Sequence, residues 1–373
     1  MSMRRCLSLL TELGEAVVGF WVQPIRAEPI ALFRIAVGAV GILSLLLSLG
    51  PLLERYAGEN GLCPPEALGS WVERSGRFSI LYGPTNLPFL ENWLPEEYSE
   101  RWKTWAATPT AVRQLYWVWL AAMLGVTLGF WTRLSTVLAW VCAVSLHVRL
   151  PWILNGGDEM LRMSLFHLML MPSGAVWSID HWRRLRRRRG DAQGPVFVRP
   201  WSVRLLQLQL CAIYFFTGLS KLGSDWITGE AVYWVLNDIS LTRWSYASVP
   251  IPMFLCRCLS WGTLLFEIGF PFAMIVDRVR IEIPQPGDMA KRIQISIPVR
   301  RFYLMGGLLF HSSIWATMEI GYFSQLMMCW YLVFLPDDFQ LGLFSRKKTD
   351  PIAPEPGTSD IANDEAALAG ADR

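Results

Sequence analysis

The chain has 373 residues, 53% of them hydrophobic, 13% aromatic and only 17% charged, with 19 tryptophans and a net charge of +3. That balance excludes an ordinary pair of soluble domains, although the length would suffice for two. Apolar runs recur from about residue 28 to residue 336 with no interval long enough for an independent soluble core, so the sequence reads as one all-α integral membrane domain.

At the N-terminus, Arg4 and Arg5 precede "CLSLL", but Glu12 and Glu15 interrupt the apolar core that a cleaved signal peptide needs. Residues 7–22 therefore read as an amphipathic interfacial helix within a cytoplasmic segment 1–27. The following domain, 28–344, carries apolar runs at about 29–53, 112–130, 134–153, 159–176, 202–222, 253–276, 302–319 and 321–336, which predict a bundle of about eight transmembrane helices. Orientation follows from the basic connections. These are "HWRRLRRRRG" (181–190) and the loop 277–301 with Arg278, Arg280, Lys291, Arg292, Arg300 and Arg301. Placing both in the cytoplasm puts both termini there too and leaves 54–110 and 223–252 outside. The Arg183–Arg189 run then sets topology and meets lipid headgroups, and no nucleic-acid partner is expected. Residues 345–373 are polar and Pro-interrupted, which predicts a disordered cytoplasmic tail.

The chemistry of the common soluble enzymes has little footing. The 7 cysteines include no CxxC pair and the 4 histidines no HxxxH spacing, so no metal site is expected. No GxSxG elbow, Walker loop or GxGxxG fingerprint occurs. Cys63 and the Cys256-x-Cys258 pair are candidates for one disulfide if the outer side is oxidising.

In this layout, polar groups collect at the outer ends of four helices. In "IYFFTGLSKLGSDWITGEAVYW" Lys221 ends a stripe formed by Gly218, Tyr214, Cys211, Gln207 and Arg204. Gly218 leaves room for a flat ligand one turn below the amine. An amine held away from water gives up its proton more readily, which suits a general base. The competing reading is a lysine snorkelling to the interface, with Trp226 and Trp234 as belt residues. In "NGGDEMLR", Asn155 and the two glycines make a turn, Asp158 is either a helix cap or a ligand contact, and Arg162 follows four residues later. His311, Trp315 and Glu319 share one helical face, where Trp315 would stack on a ring while His311, unless it is a packing residue, moves a proton. Glu267 lies deep in the sixth span and reads as a structural partner of Arg34 or Arg204.

Four stretches carry a resemblance: "ALFRIAVGAVGIL", "SLHVRLPWILNGGDEMLRMSLFHLMLMPSG", "QLQLCAIYFFTGLSKLGSDWITGEAV" and "LLFHSSIWATMEIGYFSQLMM". Together they resemble the HTTM (horizontally transferred transmembrane) family, to which the vitamin K-dependent gamma-carboxylases are related, and the K-L-x-x-D-W piece is the most specific. The resemblance implies that Lys221 deprotonates reduced vitamin K or menaquinone. Oxygen then converts the quinol to an epoxide, and the alkoxide formed on the way removes a gamma proton from glutamate so that carbon dioxide can add. It implies catalytic roles for Lys221, Asp158 and His311. Quinone or substrate contacts fall to Tyr214, Gly218, Asn155, Arg162, Trp315, Glu319 and Trp226. The implied setting is a multi-pass protein of a bacterial inner membrane whose partners are lipid, quinone and a glutamate-containing peptide. The alternative is a non-catalytic membrane protein that binds a lipid, a quinone or a peptide in the same cleft.

Overall fold

A computed structural model describes residues 14–15, 17–65, 77–82, 93–187, 194–243, 251–276, 279–285 and 288–335. The start of the expected interfacial helix and the tail 345–373 lie outside the described residues. Helices form at all eight apolar runs. They are α1 (Glu28–Ala57), α3 (Pro109–Leu128), α4 (Thr132–Arg149), α5 (Gly156–Leu170), α7 (Trp201–Ser220), α10 (Met253–Ile275), α11 (Val299–Thr317) and α12 (Phe323–Trp330). Shorter helices join them: α2 (Glu96–Ala106), the basic α6 (Ile179–Arg187), α8 (Ser224–Thr228) and α9 (Glu230–Asn237). Four of these, α1, α3, α7 and α10, are long and apolar enough to cross a membrane.

Exposure supports a bilayer rather than water as the surroundings. Along α10, Phe254 is 75% exposed, Leu265 71% and Ile275 82%, while the same helix buries Phe270 completely. A helix apolar on all sides is stable only where its outer face meets lipid. The opposite faces of the bundle share one core around Phe33, Trp119, Leu165, Phe270 and Trp330.

Two polar side chains, one buried and one half-buried, tie helix ends together. Arg34, fully buried, donates to the carbonyls of Val126 and Thr127 at 2.6 Å, Ser173 at 3.0 Å and Trp177 at 2.5 Å. It thus satisfies the last turn of α3, whose carbonyls have no helical partners. The Arg34–Glu267 pairing expected from the sequence therefore does not form. Asp180 accepts from the backbone of Trp131 at 3.0 Å and of Thr132 at 2.7 Å, and from the Thr132 hydroxyl at 2.7 Å. It acts as the N-cap of α4 from a distant segment.

Within α1 the ladder widens into a π-helical turn at Leu45–Leu49, just before Pro51. The proline ring would crowd the carbonyl four residues earlier and lacks an N–H, so the wide turn relieves that clash. The Tyr116 hydroxyl donates to the Leu45 carbonyl at 3.1 Å.

Two expectations are corrected. The stretch 277–301 is not simply a basic loop: β3 (Val279–Gln285) and β4 (Asp288–Ile297) pair as an antiparallel hairpin, with Val279 opposite Ile297 and Pro284 opposite Arg292. A second, two-residue pairing joins β1 (Ile25–Arg26) to β2 (Phe197–Val198). The connection after residue 222 carries α8 and α9, which pack along the first half of α10. Trp261 Nε1 donates to the Ile227 carbonyl at 2.9 Å, and Ser260 Oγ donates to that of Trp226. Finally, Cys63, Cys256 and Cys258 are free thiols rather than a disulfide.

Candidate functional site

α7 stops at Ser220 and α10 passes it antiparallel, close enough that a Cβ on Gly218 would lie 2.8 Å from Ile268 Cγ1 and 3.1 Å from the Ile268 nitrogen. The space beside Gly218 is thus filled by α10, and no flat ligand fits there, contrary to the expectation. What the glycine provides is close backbone approach. That approach sets Lys221, the C-cap residue of α7, against Glu267, with Nζ 2.6 Å from both carboxylate oxygens. The side chains are 23% and 7% exposed, so this is a largely desolvated ion pair. Glu267 pairs with neither Arg34 nor Arg204. Arg204 instead donates to Gln207 Oε1 at 3.0 Å and to the Phe20 carbonyl at 3.3 Å.

Glu267 lies about 21 Å along α10 from Met253, at 1.5 Å per residue. Lys221, although it caps α7, therefore meets α10 partway along its length. Its amine also faces the Trp226 ring, 5.3 Å from the centroid, which adds a cation–π contact. A snorkelling lysine would carry neither partner.

Two turns below on the α7 stripe is a second polar group. The Tyr214 hydroxyl is hydrogen-bonded to His311 Nε2 at 2.7 Å and to the Tyr331 hydroxyl by a short contact. All three side chains are buried, and His311 Nδ1 has no partner among the described residues. Phe266 and Phe270, which bracket Glu267 on α10, pack on the Tyr214 ring at centroid distances of 5.2 and 4.6 Å. Tyr331 follows α12 and was not singled out in the sequence. A phenol inside the apolar run "CWYLVF" was its signal, since a buried hydroxyl needs a partner. Gly307 admits it, for a Cβ there would collide with the Tyr331 hydroxyl.

The remaining candidates gather elsewhere. Asn155 and Asp158 form a capping box on α5: Asn155 Oδ1 accepts from the Gly157 nitrogen at 2.7 Å, and Asp158 Oδ2 accepts from the Asn155 nitrogen at 2.8 Å. The other Asp158 oxygen is 3.9 Å from Nε2 of the buried His147, whose ring lies edge-on to Trp119. Arg162 is ion-paired with Glu159 one turn away and opens on a groove lined by neither Lys221 nor Tyr214. α11 ends at Thr317, so Glu319 leaves the helical face of His311. It pairs with Arg243 at 2.7 Å, and Arg243 Nε donates to the carbonyl of the half-exposed Trp315 at 2.9 Å. Among the described residues no three His, Cys, Asp or Glu side chains come together as a metal-ligand set.

The structure thus joins Lys221, Trp226 and Glu267 in one group and Tyr214, His311 and Tyr331 in the next, while Asn155, Asp158, Arg162, Trp315 and Glu319 serve other contacts. Chemically, the first group offers an amine and a carboxylate in direct contact in a poorly solvated place, with an aromatic face beside them. The second is a buried chain able to pass a proton between hydroxyl and imidazole.

Comparison with known proteins bears on this arrangement. Residues 102–283 match the HTTM domain, a stretch that holds α3 to α10 and both Lys221 and Glu267. The chain is 27% identical over 168 residues to the uncharacterized protein YitO of Bacillus subtilis (strain 168), covering 41% of this chain and 50% of that one. The chain thus spans about half the length of that curated relative. No solved structure matches.

Proposed function

From the premise that this chain carries an HTTM domain, the domain of vitamin K-dependent carboxylase-related proteins, we propose a membrane enzyme that oxidises a reduced quinone, akin to the gamma-glutamyl carboxylases. Its eight helices cross a bacterial inner membrane with both termini in the cytoplasm. The Lys221–Glu267 pair is the observation that carries this reading. The donor set suits a hydroquinone, since the ligand's acidic hydroxyl needs a base and its ring an aromatic face, and Lys221 with Glu267 and Trp226 offer these.

The pair changes how a base works here. Passing the ammonium proton from Lys221 to Glu267 leaves a neutral amine and a neutral carboxyl, so the site gains no net charge, which a low-dielectric surrounding favours. The lone pair at Nζ then takes the proton of a phenolic hydroxyl. When bound and deprotonated, the quinol supplies the electrons that reduce oxygen and the strong base that a glutamate carboxylation requires. Tyr214, His311 and Tyr331 hold the next proton position below. A glutamate-containing peptide is the proposed acceptor, with carbon dioxide as its co-substrate.

One observation favours a second reading, a non-catalytic quinone- or lipid-binding protein: the amine is already saturated by a carboxylate, and the gap beside Gly218 is packed. One assay separates the two. Purified protein is incubated with reduced menaquinone, oxygen and labelled bicarbonate, with and without a glutamyl peptide, and epoxide and fixed label are measured. Turnover is expected in the wild type, falling about 10²–10⁴-fold in Lys221→Ala, the usual range for a general base. Glu267→Gln is expected to fall as well. No turnover in the wild type, or full turnover in Lys221→Ala, sinks the enzyme reading, and retained menaquinone binding then supports the scaffold.

A further inference from the structure

A groove of about 740 Å³ opens between α4, α5 and α7, on residues separate from those of the proposed quinol site. Its outer part carries Arg77, Arg162 and Glu159, its wall Trp140 and Phe166, and its deeper part His167 and Gln209. The lining is therefore amphipathic along its length, cationic at one end and aromatic below. Five residues separate Arg162 from His167 on α5, about 7.5 Å along the helix.

The deep polar pair is incompletely satisfied. His167 is 1% exposed, its Nε2 is 3.2 Å from Gln209 Oε1, and its Nδ1 has no partner among the described residues. The Gln209 amide nitrogen donates to a thioether, Met163 Sδ, at 3.8 Å, a weak acceptor for an N–H facing an apolar wall. A polar group at that depth calls for a ligand acceptor.

We propose that this groove binds one anionic glycerophospholipid. Its phosphate meets the guanidinium of Arg162, with Arg77 beside it, where bidentate charge-assisted hydrogen bonds are strong. The glycerol linkage carries an ester carbonyl down to the Gln209 amide, and an acyl chain runs along Trp140 and Phe166. Charge complementarity selects an anionic lipid over a zwitterionic one, and the depth of Gln209 selects an ester linkage. The ion pair of Arg162 with Glu159 moderates the attraction, since Glu159 competes for the same guanidinium.

Native mass spectrometry of the full chain in detergent, with diester phosphatidylglycerol, diether phosphatidylglycerol or phosphatidylcholine added, tests this directly. Diester phosphatidylglycerol is expected to be retained at least about fivefold more than phosphatidylcholine, the preference that about one lipid–arginine interaction gives. Arg162→Gln is expected to remove that preference and Glu159→Gln to increase it. Gln209→Leu is expected to erase the preference for diester over diether while sparing the preference for charge. Val144→Trp, which fills the groove without touching a charge, is expected to abolish retention of either lipid while the protein stays monodisperse. Equal retention of anionic and zwitterionic lipids, no retention of either, or an unchanged preference in Arg162→Gln would overturn the assignment. Because no step depends on turnover, its failure leaves the quinol reading standing, and the reverse holds too.

Discussion

Asp180 shows how a single carboxylate holds two segments together. Partial burial opposes its ionisation, but hydrogen bonds from the Thr132 backbone and hydroxyl and the Trp131 backbone, with Arg184 nearby, outweigh that and hold it below the usual aspartate value. A folded-state value below the unfolded one means that the stabilisation is present above about pH 4 and lost as pH falls through the folded value. Asp180→Asn is therefore expected to lower stability by about 0.5–2 kcal/mol at pH 7, as removal of a helix cap does. The gap from wild type should close in thermal melts below about pH 4; a constant gap down to pH 2 would show that the charge has no part. At this scale the sequence singles out Lys221, Tyr214 and His311, the last two of which share a hydrogen bond, and points to Arg34 or Arg204 as the partner of Glu267 where the structure has Lys221. Lys221 stands at the end of α7 and Glu267 partway along α10, and hydrophobic run lengths alone do not show that these two levels coincide.

At the scale of elements, the α7–α10 crossing rests on one missing side chain. Gly218→Ala places a Cβ 2.8 Å from Ile268 Cγ1 and 3.1 Å from backbone, so the helices must part. Overpacking of this kind destabilises by about 1–3 kcal/mol. The expected outcome is a lower melting temperature, partly restored by Ile268→Ala, and a weakened Lys221–Glu267 contact. A melting temperature equal to wild type would mean that the crossing is looser than its geometry. The hairpin shows the converse lesson. Its alternation, "VRIEI" and "RIQISI", has the two-residue period of strands, a signal that the basic residues of the same stretch mask by reading as loop charges. The sequence places the cap at Asp158 and a turn at Asn155, but the structure makes Asn155 the N-cap and starts α5 at Gly156, with Asp158 closing the capping box from the first turn. The end of α11 at Thr317 lies two residues before the expected end of its apolar run at 319, enough to take Glu319 off the helical face of His311.

For the whole molecule, hydrophobic run length located helices at eight places, four of which, among the described residues, are long and apolar enough to cross a membrane. It could not say how they pack, which depends on Arg34 binding carbonyls of two distant segments and on glycine contacts invisible to hydropathy. The proposed orientation rests on basic residues and is tested by impermeant thiol labelling of intact cells. A cysteine introduced near Arg187 is expected to stay unlabelled and one near Trp93 to react. Labelling at the first position would invert the arrangement.

In the proposed eight-helix arrangement, an α7 that ends partway along α10 would put the Lys221–Glu267 pair within the membrane's electric field rather than at its edge. A proton reaching that pair from either face crosses only a fraction of the potential. With about 2.3 kcal/mol per charge for each 100 mV across the full thickness, a crossing of roughly half contributes about 1 kcal/mol. The early stop of one helix would thus make protonation at this site a voltage-sensitive event, tied to the energisation of the cell.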